Sequence, residues 1–197
     1  VQGFDKEISL AVREHYLPSG LDSKTPKKPF SIALALTDKI DTLVGFFGIN
    51  QKPTSSKDPY ALRRSALGVV KLLIDNNKDF KIKDLISYST SLHRDQGFEL
   101  TNESHQKELA EFLMDRLKYY MKEKQIRGDI IEASVSSHNL DNMNKIYNKA
   151  STLNSVISKE IGEDIVINYK RASSILSGEL KDKDIELSNT TDPGIFK

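Results

Sequence analysis

An all-α fold is what this sequence predicts, on three observations. Apolar residues recur at helical spacing through most of the chain. Loops rich in proline, glycine and lysine separate those stretches. No alternating apolar–polar run of strand length competes with them. At 197 residues the chain can bury one good core, or two small ones joined by helices. Its hydrophobic share of 38% and charged share of 29% suit a soluble globular protein.

The elements follow in order. "FDKEISLAVREHY" sets Phe4, Ile8, Ala11 and Val12 at helical spacing, and Pro18 and Gly20 stop it. The loop "GLDSKTPKKP" holds two prolines and three lysines, Lys24, Lys27 and Lys28. "FSIALALTDKIDTLVGFFGIN" traces one stripe through Ala33, Leu36, Ile40, Leu43, Val44 and Phe47, the pattern of a buried helix. "QKPTSSKDP" ends in a start signal, with Asp58 as N-cap and Pro59 in the first turn. Leu62, Ala66, Val69, Val70 and Leu73 then form the core face of a helix to about Asp75. "IKDLISYSTSLHRD" reads as a shorter helix ended by Gly97. "ESHQKELAEFLMDRLKYYMKEK" is long and amphipathic, with Leu109, Leu113, Leu117, Tyr120 and Met121 inward. "GDIIEASVS" is short, and "LDNMNKIYNKASTLNSVIS" and "DIVINYKRASSILSG" complete the set.

Several function classes drop out. With no cysteine the chain forms no disulfide, no thiolate nucleophile and no cysteine-based zinc site. There is no G-x-x-x-x-G-K-[ST], G-x-G-x-x-G or G-x-S-x-G, so phosphate-cradling loops and the nucleophile elbow are missing. No apolar run approaches the ~18 residues of a membrane span, and no signal peptide is visible, so the expected address is cytoplasmic with no membrane partner. A chain that starts at Val1 and ends "TTDPGIFK" is expected to be a piece of something larger.

Charge is uneven. Residues 20 to 83 carry 12 Lys and Arg against 6 Asp and Glu, a net +6, while the flanks are mildly acidic. A basic middle points to a polyanionic partner, although scattered solvated lysines give the same asymmetry. Asp38 and Asp41 lie three residues apart on one helical face. With His15 they could hold a divalent metal or serve acid–base work; the structural alternative pairs them with Arg63 on the next helix. On a helical wheel Arg63 flanks the core face, while Arg64 shares the outer face with Lys71. His93, His105 and His138 lack partners at ligand spacing. No catalytic residue and no metal site is expected.

"REHYLP", "ALALTDKIDTLVGFFGINQKPTSSKDPYALRRSALGVVKLL", "FLMDRLKYYMKEKQIRGDIIEA" and "YKRASSIL", in this order and spacing, resemble the beta subunit family of bacterial glycyl-tRNA synthetase. The resemblance runs over nearly the whole chain, and "KDPYALRRSALG" is its most specific string. It implies a helical HD-like domain over 1–98, connecting helices over 99–138, and a partial anticodon-binding domain of the arginyl-tRNA synthetase type over 139–197. It implies that the alpha subunit, using ATP and magnesium, makes glycyl-adenylate, and that this piece holds no cofactor itself. The implied partners are tRNA-Gly and the alpha subunit, in a tetramer of two alpha and two beta. "LTDKID" matches the helix bearing the last aspartate of the HD-like fold, at Asp38, and "YKRASSIL" matches the Lys-Arg helix of the anticodon domain, at Lys170 and Arg171. Thr37, Ser55 and Ser174 depart from the usual alanine, glycine and asparagine. The expected division is therefore Arg63 with Asp38 and Asp41 as a structural ion pair. Lys24, Lys27, Lys28, Arg64, Lys71, Lys170 and Arg171 are expected to bind RNA phosphates. An HD-type metal phosphohydrolase and a helical scaffold that docks the alpha subunit without touching RNA are the alternatives.

Overall fold

A computed structural model describes residue 3 and residues 5–136 and 142–179. Among them are eight helices and no strand: α1 (Lys6–Glu14), α2 (Pro29–Gly48), α3 (Leu62–Asp75), α4 (Ile82–Asp95), α5 (His105–Glu123), α6 (Gly128–Ser136), α7 (Met143–Ile157) and α8 (Glu160–Glu179). The all-α expectation holds. Two compact units divide the chain at Asn154 and Ser155. The expected boundary between residues 138 and 139 lies outside the described residues, as do Phe4 and His138.

In the first unit α2 is the central helix, packed against α1, α3, α4 and α5. It buries Ile32, Ala35, Leu36, Ile40, Leu43, Val44 and Phe47, a face wide enough to meet neighbours on more than one side. The expected stripe has its first turn out of phase: Ala33 is exposed, and Ile32 and Ala35 take the inward positions. Lys39 is also buried, and its amine donates to the His15 carbonyl at 2.9 Å, tying the end of α1 to α2. Gly68 of α3 makes room for it, since a Cβ there would stand 2.6 Å from Lys39 Cε.

Helix α3 starts later than the sequence predicts. Asp58 lies outside it, and Ala61 at φ 53° precedes its first residue. The Asp58 carboxylate nevertheless caps the helix, accepting the backbone N–H groups of Leu62 at 2.8 Å and Arg63 at 3.0 Å. The predicted core face of α3 is buried throughout, as are the five inward residues predicted for α5. Helix α1 is the exception: only Ala11 is buried, and Ile8 and Val12 stay exposed. A nine-residue helix that rests on α2 through a small residue leaves the rest of its apolar stripe in solvent. Asn144 of α7 donates to Asn77 at 2.8 Å and to Asp79 at 3.0 Å, fixing α7 to the turn between α3 and α4.

In the second unit α8 leaves Ile165, Ile167, Tyr169, Ile175 and Leu176 exposed. No helix among the described residues is long and apolar enough to cross a membrane.

Candidate nucleic-acid interface

The start of α3 delivers two arginines at once. Arg63 is half-buried, and its guanidinium donates to the Thr54 carbonyl in the loop before the helix. Arg64, the next residue, is exposed. Both line a groove of about 270 Å³, together with Gly20, Leu67, Arg116 and Tyr119. Arg116 arrives from α5, four residues after Phe112 and three before Tyr119, so the three share one helical face. Its guanidinium carbon lies 5.6 Å from the Phe112 ring centre and 5.9 Å from that of Tyr119. Phe112 is itself anchored on Phe47 of α2, with ring centres 5.2 Å apart. The guanidinium is therefore held by two aromatic neighbours, the cation–π arrangement that suits arginine.

Among the described residues, no ion pair engages Arg63, Arg64 or Arg116. The Arg116 Nε–H is buried with no hydrogen-bond acceptor. Three guanidinium groups without an ion pair among the described residues make the groove a basic one. Glu123, and less strongly Asp22, push the Tyr119 phenol above its ordinary value. A second cavity, about 310 Å³, lies by Phe46, Ile49, Phe98 and Leu100. It is mainly apolar, with Asp41 and Glu99 in its lining, which suits a polyanion poorly.

The structure does not bring Arg63 to Asp38 or Asp41. Asp41 faces α4, where it meets His93 Nε2 at 3.1 Å and Ser89 Oγ at 3.5 Å. Asp38 is exposed beside Lys39. The loop at Thr54 reaches the Arg63 guanidinium, and α4 takes the Asp41 side of α2. His15 directs Nδ1 at the Val12 carbonyl, 2.5 Å away. Among the described residues no three His, Cys, Asp or Glu side chains converge as a metal group.

Lys71 is a second difference. It is only 5% exposed, donates to the Leu21 carbonyl at 2.5 Å and pairs with Asp75 at 3.6 Å. The loop before α2 covers this side of α3: Leu21 closes over Lys71, while Gly20 lines the groove at Arg64. Only Arg64 remains at the open end of that face. Lys27 is tied to the C-terminus of α3 through the Asp75 carbonyl at 2.9 Å and Asn76 Oδ1 at 3.3 Å. Lys24 and Lys28 are exposed. Lys170 and Arg171 are exposed on α8, in the second unit. Arg116 and Tyr119 were not among the residues predicted. Their signal is the F-x-x-x-R-x-x-Y spacing inside "EFLMDRLKYY", which puts an arginine between two aromatics on one helical face.

A protein-family model described as Glycyl-tRNA synthetase beta subunit matches residues 1–136. The glycine–tRNA ligase beta subunit of Ruegeria sp. (strain TM1040) is 37% identical over 182 residues, which is 92% of this chain and 25% of that protein. Its counterpart in Cereibacter sphaeroides is 36% identical over 192 residues, 97% of this chain and 27% of that protein. The one in Rhodospirillum centenum is 34% identical over 187 residues, 95% and 26% respectively. The chain thus spans about a quarter of the length of the curated relatives it matches.

Proposed function

Because the chain belongs to the glycyl-tRNA synthetase beta subunit family, we propose that it is a tRNA-binding part of that subunit, supporting the ATP-dependent ligation of glycine to tRNA-Gly by an alpha subunit. The observation that carries this reading is the groove where Arg63, Arg64 and Arg116 converge with no ion pair among the described residues. Guanidinium groups match phosphate oxygens in a forked geometry, and each phosphate they neutralise releases condensed counterions. No base has to be read for that attraction to act. The exposed Lys24 and Lys28 extend the positive surface, and Lys170 and Arg171 supply charge on the second unit. Lys71 and Lys27 hold α3 to its neighbouring loop instead.

The rest of the reading follows the family. An HD-like helical domain, connecting helices and a partial anticodon-binding domain divide the chain, the whole subunit pairs with the alpha subunit as two alpha and two beta, and the assembly works in the cytoplasm. ATP and magnesium act at the alpha subunit. The phosphohydrolase alternative finds no converging ligand set among the described residues.

The test is tRNA-Gly binding across a salt series, with holoenzyme assembled from the complete beta subunit and the alpha subunit. Arg64→Ala should weaken binding and lower the salt slope by nearly one unit, about 0.9 for duplex and 0.7 for single-stranded contacts. Arg64→Lys should restore most of the slope. Lys71→Ala should leave the slope alone and lower thermal stability by about 1–3 kcal/mol, as expected for loss of a buried, hydrogen-bonded side chain. A slope unmoved by Arg64→Ala would exclude this face from RNA.

A further inference from the structure

We propose that the groove between α3 and α5 holds one unpaired nucleotide, its base against Tyr119 and its phosphate between Arg63 and Arg64. The inference rests on the RNA-binding reading above and narrows it from charge to a particular ligand. Size is the first support. At about 270 Å³ the groove lies just below the ~300–1,000 Å³ of small-molecule pockets, a scale that suits one nucleotide rather than a longer stretch of RNA.

Side-chain chemistry is the second. A surface that meets only duplex phosphates needs cations and has no use for an aromatic ring. Here Tyr119 is 42% exposed, lines the groove, and has the Arg116 guanidinium beside it. Exposed aromatic rings and planar guanidinium groups are the platforms on which splayed-out bases stack. Arg116 is already placed by Phe112 and Tyr119, so less side-chain freedom is lost when a ligand arrives.

Charge is the third support. Arg63 and Arg64 stand at the α3 wall, whereas Glu123, and less strongly Asp22, push the Tyr119 phenol above its ordinary value. The α3 wall thus offers a phosphate two guanidinium groups, and Arg116 beside Tyr119 offers a third. Gly20 adds no side chain to the rim, and a Cβ there would meet nothing within 4 Å.

The experiment uses the complete beta subunit with its alpha partner and two RNA probes of equal charge: a short single-stranded oligoribonucleotide and a fully paired duplex. Tyr119→Ala should weaken single-strand binding about tenfold, the loss of one stacked base, and leave duplex binding unchanged. Tyr119→Phe should bind both probes as the parent does, which separates stacking from the hydroxyl and from any folding defect. A single strand carrying 4-thiouridine should crosslink to the peptide holding residues 112–123 in the parent and not in Tyr119→Ala. AMP that displaces the single strand would support the nucleotide site and make a free nucleotide its occupant; failure of AMP to compete would support a residue within an RNA chain. Equal losses on both probes, or no loss with Tyr119→Ala, would overturn the proposal. If Arg64→Ala lowers the salt slope while Tyr119→Ala does nothing, the RNA-binding reading survives and the nucleotide site alone fails. If neither variant has an effect, both fall.

Discussion

Asp75 shows how much of this molecule is fixed by single side chains. Its carboxylate accepts from Tyr120 at 3.0 Å and Thr25 at 3.4 Å and pairs with Lys71 at 3.6 Å. Burial first, then the Asp75 charge, pushes the Tyr120 phenol well above the ordinary tyrosine value. At neutral pH both folded and unfolded chains keep that proton, and nothing changes. Above about pH 10 the unfolded phenol ionises while the folded one does not, so the folded state binds more protons and stability falls as pH rises. Tyr147 is shifted the same way, by burial and then by Asp75. Tyr120→Phe should cost about 1.5–3 kcal/mol at pH 7, the worth of a hydrogen bond to a charged acceptor, and should flatten the alkaline fall without abolishing it. Melting temperatures of parent and variant from pH 7 upward check both parts. An alkaline limb equally steep in the variant would remove Tyr120 as its source. The sequence made the inward position of Tyr120 visible through its spacing, but not its partner. Lys71, predicted on the outer face with Arg64, is buried for a related reason: its face on α3 is covered by a loop whose path no helical period encodes.

At the scale of elements, α3 is the piece on which the site depends. Asp58 holds two of the N–H groups that a helix start leaves without intrahelical partners, and its charge sits at the positive end of the helix. Asp58→Ala should cost about 1 kcal/mol, within the ~0.5–2 kcal/mol range for lost caps, and Asp58→Asn should recover most of it. Urea denaturation with an unchanged m value measures the difference cleanly. A null effect of Asp58→Ala would mean that the turn through Ala61 starts the helix by itself. Most helices could be placed from sequence, because Gly97 follows α4, Gly128 opens α6, and the apolar period of α5 is long and unbroken. The start of α3 was misplaced because Asp58-Pro59 resembles an N-cap pair, whereas a tight turn, closed by Ala61 N–H to the Asp58 carbonyl at 3.2 Å, intervenes. The groove was half legible. Adjacent arginines after a cap drew notice, but Arg116 belongs to a helix some fifty residues later, and only packing reveals that the two helices face one cavity.

For the whole molecule, the division into two units governs what unfolds together. Every buried apolar side chain among the described residues lies between Ala11 and Ala150. Residues 1–154 prepared alone should therefore unfold in one cooperative thermal transition, with backbone and tyrosine circular dichroism coincident. Two separated transitions would place a further boundary within the first unit. The charge excess also looks different in three dimensions. Of the basic residues in 20–83, Lys39 and Lys71 are buried, so a partner outside meets a weaker and more localised field than the linear count of +6 implies.

Lys39 has a consequence for reactivity. Burial pushes its amine below the ordinary lysine value, with the nearby Asp38 offsetting part of the shift. A deprotonated amine is the nucleophilic form, the one that attacks acyl donors and forms imines with aldehydes. Yet Lys39 is 5% exposed, packed against Gly68, and bound to the His15 carbonyl. The lysine that gives up its proton more easily than usual is thus one that an electrophile cannot reach while α1, α2 and α3 stay together, and when they part, the burial that lowers its pKa is lost as well.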